Sequence, residues 1–134
     1  MLLAEDHAAT AAQLQTLLQT AFDVVAVVAD GATLVSAAER FAPDAVVTDI
    51  SMPVLDGIDA AVLILQKHPG TRLVLVTVHD ELILVDRGVA AGALGYVLKE
   101  TAGDELVPAV EAALKGQLYI SHALRRRAVE GKPE

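Results

Sequence analysis

Five times along this chain a short apolar run gives way to a longer segment with helical spacing, and that alternation admits few folds. The runs are Met1 to Ala4, Val24 to Val28, Ala45 to Thr48, Leu73 to Val76 and Gly95 to Leu98. Ala45 to Thr48 has the unbroken apolar pattern of a strand covered on both faces, as in a parallel sheet whose strands connect through helices. The predicted helices span about Ala8 to Ala21, Gly31 to Phe41, Gly57 to Lys67, Glu81 to Ala91 and Gly103 to Lys115. Leu14, Leu17 and Leu18 are expected to face inward from the first, and Leu34, Val35, Ala38 and Phe41 from the second. The chain therefore reads as an α/β domain of five β-α units.

Turn chemistry sets the predicted ends. Asp30-Gly31 turns the chain into helix two, and His68-Pro69-Gly70 stops helix three because the residue before a proline is pushed out of the α region. Asp80 is placed to cap helix four, while Gly92 and Gly116 end helices four and five. Pro108 inside helix five removes a backbone bond at a cost of about 3 kcal/mol, which predicts a kink or a late start. Leu124 to Glu130 reads as a short basic tail, helix or coil, and Gly131-Lys132-Pro133-Glu134 as frayed.

With 134 residues, 54% of them hydrophobic, the chain suits a single domain, taken as residues 1–120, with 121–134 as a tail or linker lacking any DNA-binding domain. Absence of cysteine fits a reducing, cytoplasmic setting, and no apolar run approaches the roughly 20 residues of a membrane helix. Met1 to Ala4 runs straight into Glu5-Asp6, so no signal peptide is expected. A formal net charge of -8 opposes binding to a polyanion, against which Arg125-Arg126-Arg127 is a weak counter-signal.

In a parallel sheet of this kind, ligands bind beyond the carboxyl ends of the strands. Four strand ends deliver Glu5-Asp6, Asp49, Thr77 and Lys99 to that edge. Each alone has a bland explanation: an Asx turn for Asp49, a helix cap for Glu5-Asp6, a strand residue for Thr77, and a partner for Glu100 or Glu105 in the case of Lys99. Together they point elsewhere. Three converging acids repel one another unless a cation joins them, and an all-oxygen set suits Mg2+. Asp49 is then placed as a carboxylate nucleophile toward phosphorus, with Lys99 and the metal balancing charge and Thr77 donating a hydrogen bond.

The stretches LLAEDH, VVTDISMPVLDG, LVLVTVHD and GALGYVLKE, in this order and spacing, resemble the receiver domain of bacterial two-component response regulators from Leu2 to about Ile120. The resemblance implies a flavodoxin-like (CheY-like), doubly wound, five-stranded parallel sheet, a phosphoryl group received from a sensor histidine kinase, and a Mg2+ requirement. On matching positions it implies Asp49 as phosphoacceptor, Asp6 and Asp49 as direct Mg2+ ligands, Glu5 acting largely through water, and the Ser51 backbone carbonyl completing the set. It further implies that Lys99 pairs with the phosphoryl group, that Thr77 and Tyr96 form the switch, and that Ser51 and His79 tune hydrolysis. Such a chain is a switch with slow phosphoryl chemistry and not a dedicated enzyme.

His79-Asp80, the acid after Lys99, and LKGQLYIS followed by LRRR resemble NarL/FixJ-like regulators, whose receiver precedes a LuxR-type helix-turn-helix domain. With a net charge of -8 and no helix-turn-helix, this chain alone is expected to bind neither DNA nor membrane, and its output is expected to be a change of protein contacts across helix four, strand five and helix five, with a homodimer formed on phosphorylation. Three departures stand out. Met1 leaves the first strand shorter than usual, which predicts an incomplete sheet edge or a truncated start; Glu100 replaces a common proline after the lysine; and Pro108 alters helix five. Two other readings compete. An aspartate-nucleophile phosphatase of the haloacid dehalogenase type wants a second Asp where Ser51 stands, and a docking module that never takes phosphate has no need of the acid set.

Overall fold

The computed structural model describes residues 1–130; the fraying expected for residues 131–134 lies outside them. The elements are β1 (Leu2–Ala4), α1 (Ala8–Gln19), β2 (Ala26–Val28), α2 (Gly31–Phe41), β3 (Ala45–Thr48), α3 (Gly57–Lys67), β4 (Arg72–Thr77), α4 (Leu82–Ala90), β5 (Gly95–Leu98), α5 (Ala102–Leu114), β6 (Tyr119–Ile120) and α6 (His122–Glu130), with a 3-10 turn at Lys99–Thr101. The sheet is wholly parallel in the order β2-β1-β3-β4-β5-β6.

Both faces of the sheet are covered. Leu14 and Leu18 of α1 and Leu106, Ala109, Val110 and Ala113 of α5 pack with Leu3, Val47, Val74 and Val97 on one face. Leu34, Ile58, Ile64 and Val85 of α2, α3 and α4 pack with Leu2, Val46, Leu73 and Leu75 on the other. Alternate residues of β1, β3 and β4 point to opposite clusters, which explains why these strands read as unbroken apolar runs. Among the described residues no helix is long and apolar enough to cross a membrane.

Several expectations need correction. The five-stranded reading gains a sixth strand, because Tyr119 and Ile120 pair with Gly95 and Tyr96 at the edge of the sheet. Two residues are too few to register as a strand by pattern. The short β1 does not leave a ragged edge; it lies inside the sheet, with all three residues paired to both β2 and β3. Helix α5 starts at Ala102, not late, and runs through Pro108. That proline is exposed, so the Asp104 carbonyl it leaves without an amide lies on the solvent side of the helix, where water substitutes for the lost bond. Phe41 is 43% exposed with the Arg40 guanidinium over its ring, in place of the buried position its spacing predicts. Asp80 does not cap α4; Glu81 holds the N-cap position without a side-chain bond. Asp30 and Asp56 do cap, accepting from the amides of Thr33 and Asp59.

The stretch read as a tail packs on the domain. Leu124 is 1% exposed and Ser121 is fully buried. Glu105 of α5 accepts from the Thr101 hydroxyl, from Tyr119 OH at 2.9 Å and from the His122 amide at 3.1 Å. Burial alone would raise the Glu105 carboxyl, but these bonds and one from Ser121 outweigh it and hold its pKa below the ordinary value.

The backbone is strained at Val54, in the loop between β3 and α3, where φ is 72° on a β-branched residue that is 84% exposed. The left-handed conformation costs about 1–2 kcal/mol, glycine carries none of it, and the extra entropy of an unfolded glycine returns about 0.5–1 kcal/mol. Val54→Gly is therefore expected to stabilise the chain by about 0.5–1 kcal/mol, read as a higher urea midpoint with unchanged slope; an equal or lower midpoint would show that this strain is not stored there.

Candidate functional site

The chain leaves β1 to one side for β2 and returns on the other for β3, so the crevice between β1 and β3 opens at their carboxyl ends. Glu5 and Asp6 follow β1, and Asp49 follows β3. The Asp49 amide donates to the Ala4 carbonyl at 3.0 Å, and the Glu5 amide to the Val28 carbonyl at 2.9 Å. Ladder hydrogen bonds thus run up to the acids themselves, and strand geometry fixes their spacing.

The loop after Asp49 is pinned from below. Gly57 opens α3, its amide donates to the Ile50 carbonyl at 2.7 Å, and a Cβ there would stand 1.9 Å from the Asp49 carbonyl oxygen. A side chain at that position has no room unless the Asp49 backbone moves. The Asp49 carboxylate accepts from the Ile50 amide through Oδ1 at 2.7 Å and from Lys99 Nζ through Oδ2 at 2.8 Å.

Lys99 reaches this carboxylate from the end of β5 and also stands 2.5 Å from Glu5 Oε1. Burial pushes the ammonium toward neutrality, but the hydrogen bonds and charges of Asp49 and Glu5 outweigh it and raise the Lys99 pKa above its ordinary value. The charge is thereby secured at every pH below the usual lysine range, and its contribution to stability fades only as pH climbs through the raised value. No described peptide bond is cis, so a trans Lys99-Glu100 link delivers the ammonium here.

Carboxylate oxygens of Glu5, Asp6 and Asp49 lie within 4.8 Å of one another. Asp6 is exposed, and Glu5 and Asp49 are buried at 2% and 5% exposure. Glu5 Oε2 accepts from the His7 amide at 3.0 Å, and Glu5 Oε1 stands against the Lys99 ammonium. Three carboxylates converging this closely, two of them buried, form an all-oxygen set that fits a hard divalent cation such as Mg2+.

Thr77, fully buried at the end of β4, accepts the His79 amide at 3.1 Å through its hydroxyl oxygen. Among the described residues that hydroxyl donates to nothing. Tyr96 is 1% exposed and its hydroxyl donates to the His79 carbonyl at 2.9 Å. Burial first, then the charges of Glu81, Asp80 and Asp49, push the phenol up to about 12, so it remains a donor. Ser51 Oγ and His79 Nε2 are 2.7 Å apart, linking the loops after β3 and β4. The structure thus gathers all eight residues singled out from sequence. Sequence reasoning missed that Asp80 pairs with Arg127 at 2.9 Å, and that Arg125 bonds the Ile120 carbonyl at 2.7 Å. Two of the three clustered arginines are internal ties, and nothing in a basic triplet distinguishes that use from a solvated one.

A family model described as the response regulator receiver domain matches residues 1–111. The transcriptional regulatory protein DegU of Brevibacillus brevis is 34% identical over 103 residues, covering 77% of this chain and 44% of that protein. The transcriptional regulatory protein MctR of Rhizobium johnstonii is 34% identical over 124 residues, covering 90% of this chain and 58% of that protein. The chain therefore spans about half the length of these relatives. A crystal structure of a LuxR-family two-component response regulator from Aurantimonas sp. SI85-9A1 superposes with a TM-score of 0.91 at 30% identity, covering 96% of this chain and 94% of that one.

Lys99→Ala would leave Glu5 and Asp49 buried without their cation. Breaking a buried pair costs about 3–5 kcal/mol, and the opening beside exposed Asp6 reduces this to about 2–3 kcal/mol. Millimolar Mg2+ should recover much of the loss in a urea titration, because a bound cation replaces the missing charge. A variant whose stability ignores Mg2+ would count against the cation site.

Proposed function

The chain belongs to the response regulator receiver domain family, and from that premise we propose that it is a phosphorylation-operated switch that takes a phosphoryl group from a sensor histidine kinase onto Asp49. The observation that carries the proposal is the setting of Asp49: a nearly buried carboxylate at a strand end, braced by Lys99, with two further acids at hand. Domains of this family are generally signalling switches and not dedicated enzymes.

Transfer needs no base. A carboxylate oxygen of Asp49 attacks phosphorus, the P–N bond of the donor phosphohistidine breaks, and the imidazole leaves with a proton, giving an acyl phosphate. Lys99 turns its ammonium from the carboxylates toward the phosphoryl oxygens. Thr77, whose hydroxyl proton is uncommitted, donates to one of those oxygens. Glu5, Asp6, Asp49 and the Ser51 backbone carbonyl would hold Mg2+, which neutralises charge on the phosphoryl group.

Moving the Thr77 hydroxyl toward the new phosphoryl group disturbs its bond to the His79 amide, and Tyr96 holds the carbonyl of the same residue. The loop after β4 is therefore the element the phosphoryl group biases. Output is a change in protein contacts across α4, β5 and α5, most simply pairing with a second copy. Because the relatives are transcriptional regulators about twice as long, the switch acts in the cytoplasm on a downstream LuxR-type DNA-binding domain; with a net charge of -8, the receiver itself does not bind DNA.

Asp49→Asn preserves shape and removes the nucleophile. Incubation with a small phosphodonor and Mg2+ should add one phosphate to the parent by intact mass and none to the variant; an alkali-labile phosphate on the variant would sink the assignment. Hydrolysis of the acyl phosphate should depend on the Ser51–His79 pair, which spans the loops flanking the path of attacking water. His79→Ala is expected to lengthen the half-life about threefold or more by removing a group that orients water, and unchanged half-lives in both His79→Ala and Ser51→Ala would dispose of the idea.

A further inference from the structure

The segment from Tyr119 onward is fastened by contacts that phosphoryl chemistry does not use. Glu105 accepts the His122 amide, one of the first helical amides of α6, so a carboxylate sits where a helix N-terminus favours negative charge. Ser121 Oγ accepts the Leu98 amide at 2.9 Å. Leu124 is buried in the cluster that contains Tyr96, Leu98 and Val85, with Ala123 and Ile120 packed against it. The start of α6 is thus rooted in the core.

The next turn of α6 does something different. Arg127 Nη1 donates to the Asp80 carbonyl at 2.9 Å and stands 2.9 Å from Asp80 Oδ2, so one guanidinium grips the backbone and side chain of a single residue. Asp80 lies in the loop after β4, beside His79. That loop has three successive ties: the His79 amide to Thr77, the His79 carbonyl to Tyr96, and Asp80 to Arg127. Two of these belong to the switch, and the third leads directly to the C-terminal helix.

We infer that Arg127 and Asp80 form a clasp through which α6 reads the phosphorylation state of Asp49. This rests on the receiver reading above. When Thr77 moves toward the phosphoryl group, the loop carries Asp80 with it. Arg127 cannot follow, because Leu124, Ser121 and Glu105 root α6 three to six residues earlier in the chain or from α5. The clasp opens, and the turn of α6 after Arg125, which stays tied to the Ile120 carbonyl, is released together with whatever it carries. The side chains of Arg127 and Asp80 are 48% and 54% exposed, so the pair shifts an equilibrium only about two- to fivefold. That is weak enough for a buried hydroxyl to override and strong enough to bias a helix end.

Linkage makes the inference sharp. If the phosphoryl group opens the clasp, opening the clasp must favour the phosphoryl group by the same factor. The test uses beryllofluoride with Mg2+ as the acyl phosphate mimic, with fluorine NMR reporting occupancy of Asp49 and hydrogen exchange reporting the α6 amides from Arg126 to Ala128. In the parent, saturation should speed exchange there about two- to fivefold. Arg127→Ala should show the faster exchange without ligand, respond little further, and bind beryllofluoride about two- to fivefold more tightly, with Arg127→Lys in between. Thr77→Ala should bind the mimic yet leave α6 exchange unchanged, whereas Thr77→Ser should retain the response. Fluorine signals of a bound mimic with unchanged or slower α6 exchange in the parent would overturn the clasp and leave the receiver reading standing. Arg127→Ala with parental exchange and affinity would do the same. Failure of the parent to bind the mimic at all would overturn both.

Discussion

One ammonium holds the functional edge of this molecule together. Glu5 and Asp49 are both nearly buried, and two carboxylates this close in so little water repel one another strongly unless a positive partner lies between them. Lys99 supplies it by touching both. In the proposed function the charge that keeps the edge intact at rest is also the one that meets the phosphoryl oxygens. Exposed Asp6, whose carboxylate lies beside these two, leaves room for a second cation.

That arrangement depends on backbone more than on side chains. Ladder bonds from Asp49 to Ala4 and from Glu5 to Val28 extend the register of three strands into the crevice, and register in a parallel sheet buried on both faces does not slip. The absent side chain at Gly57 lets α3 begin directly against the Asp49 carbonyl. Gly31 does the same for α2 against the Leu55 carbonyl, where a Cβ would stand 2.0 Å away. Two close approaches thereby lock the loop that follows Asp49, and the strain at Val54 sits in the same locked segment.

The C-terminal segment shows how a domain's boundary can be hidden from its sequence. Tyr119 and Ile120 extend the sheet by one short strand, Leu124 fills a hole in the core, and Glu105 gathers donors from three elements. Arg127 then ties the chain to the loop that Thr77 and Tyr96 also hold. The loop between β4 and α4, the helix expected to take part in pairing, is thus held by α6 through Asp80.

By itself the sequence determined the five β-α units, the parallel sheet, and which side chains meet at its edge. Each of these is carried by residue type at a fixed chain position: apolar runs set strands, Gly and Pro set ends, and an acid, a threonine or a lysine after a strand can go to only one edge. Tertiary structure alone decided the rest. Whether Asp80 capped its helix or met Arg127, and whether residues after 120 were tail or core, depended on partners such as those 47 and 23 positions away, whose pairing leaves no periodic trace. The physical reason is that local spacing encodes which face a residue shares with its near neighbours. Which charge a side chain meets is settled only when packing brings distant segments together.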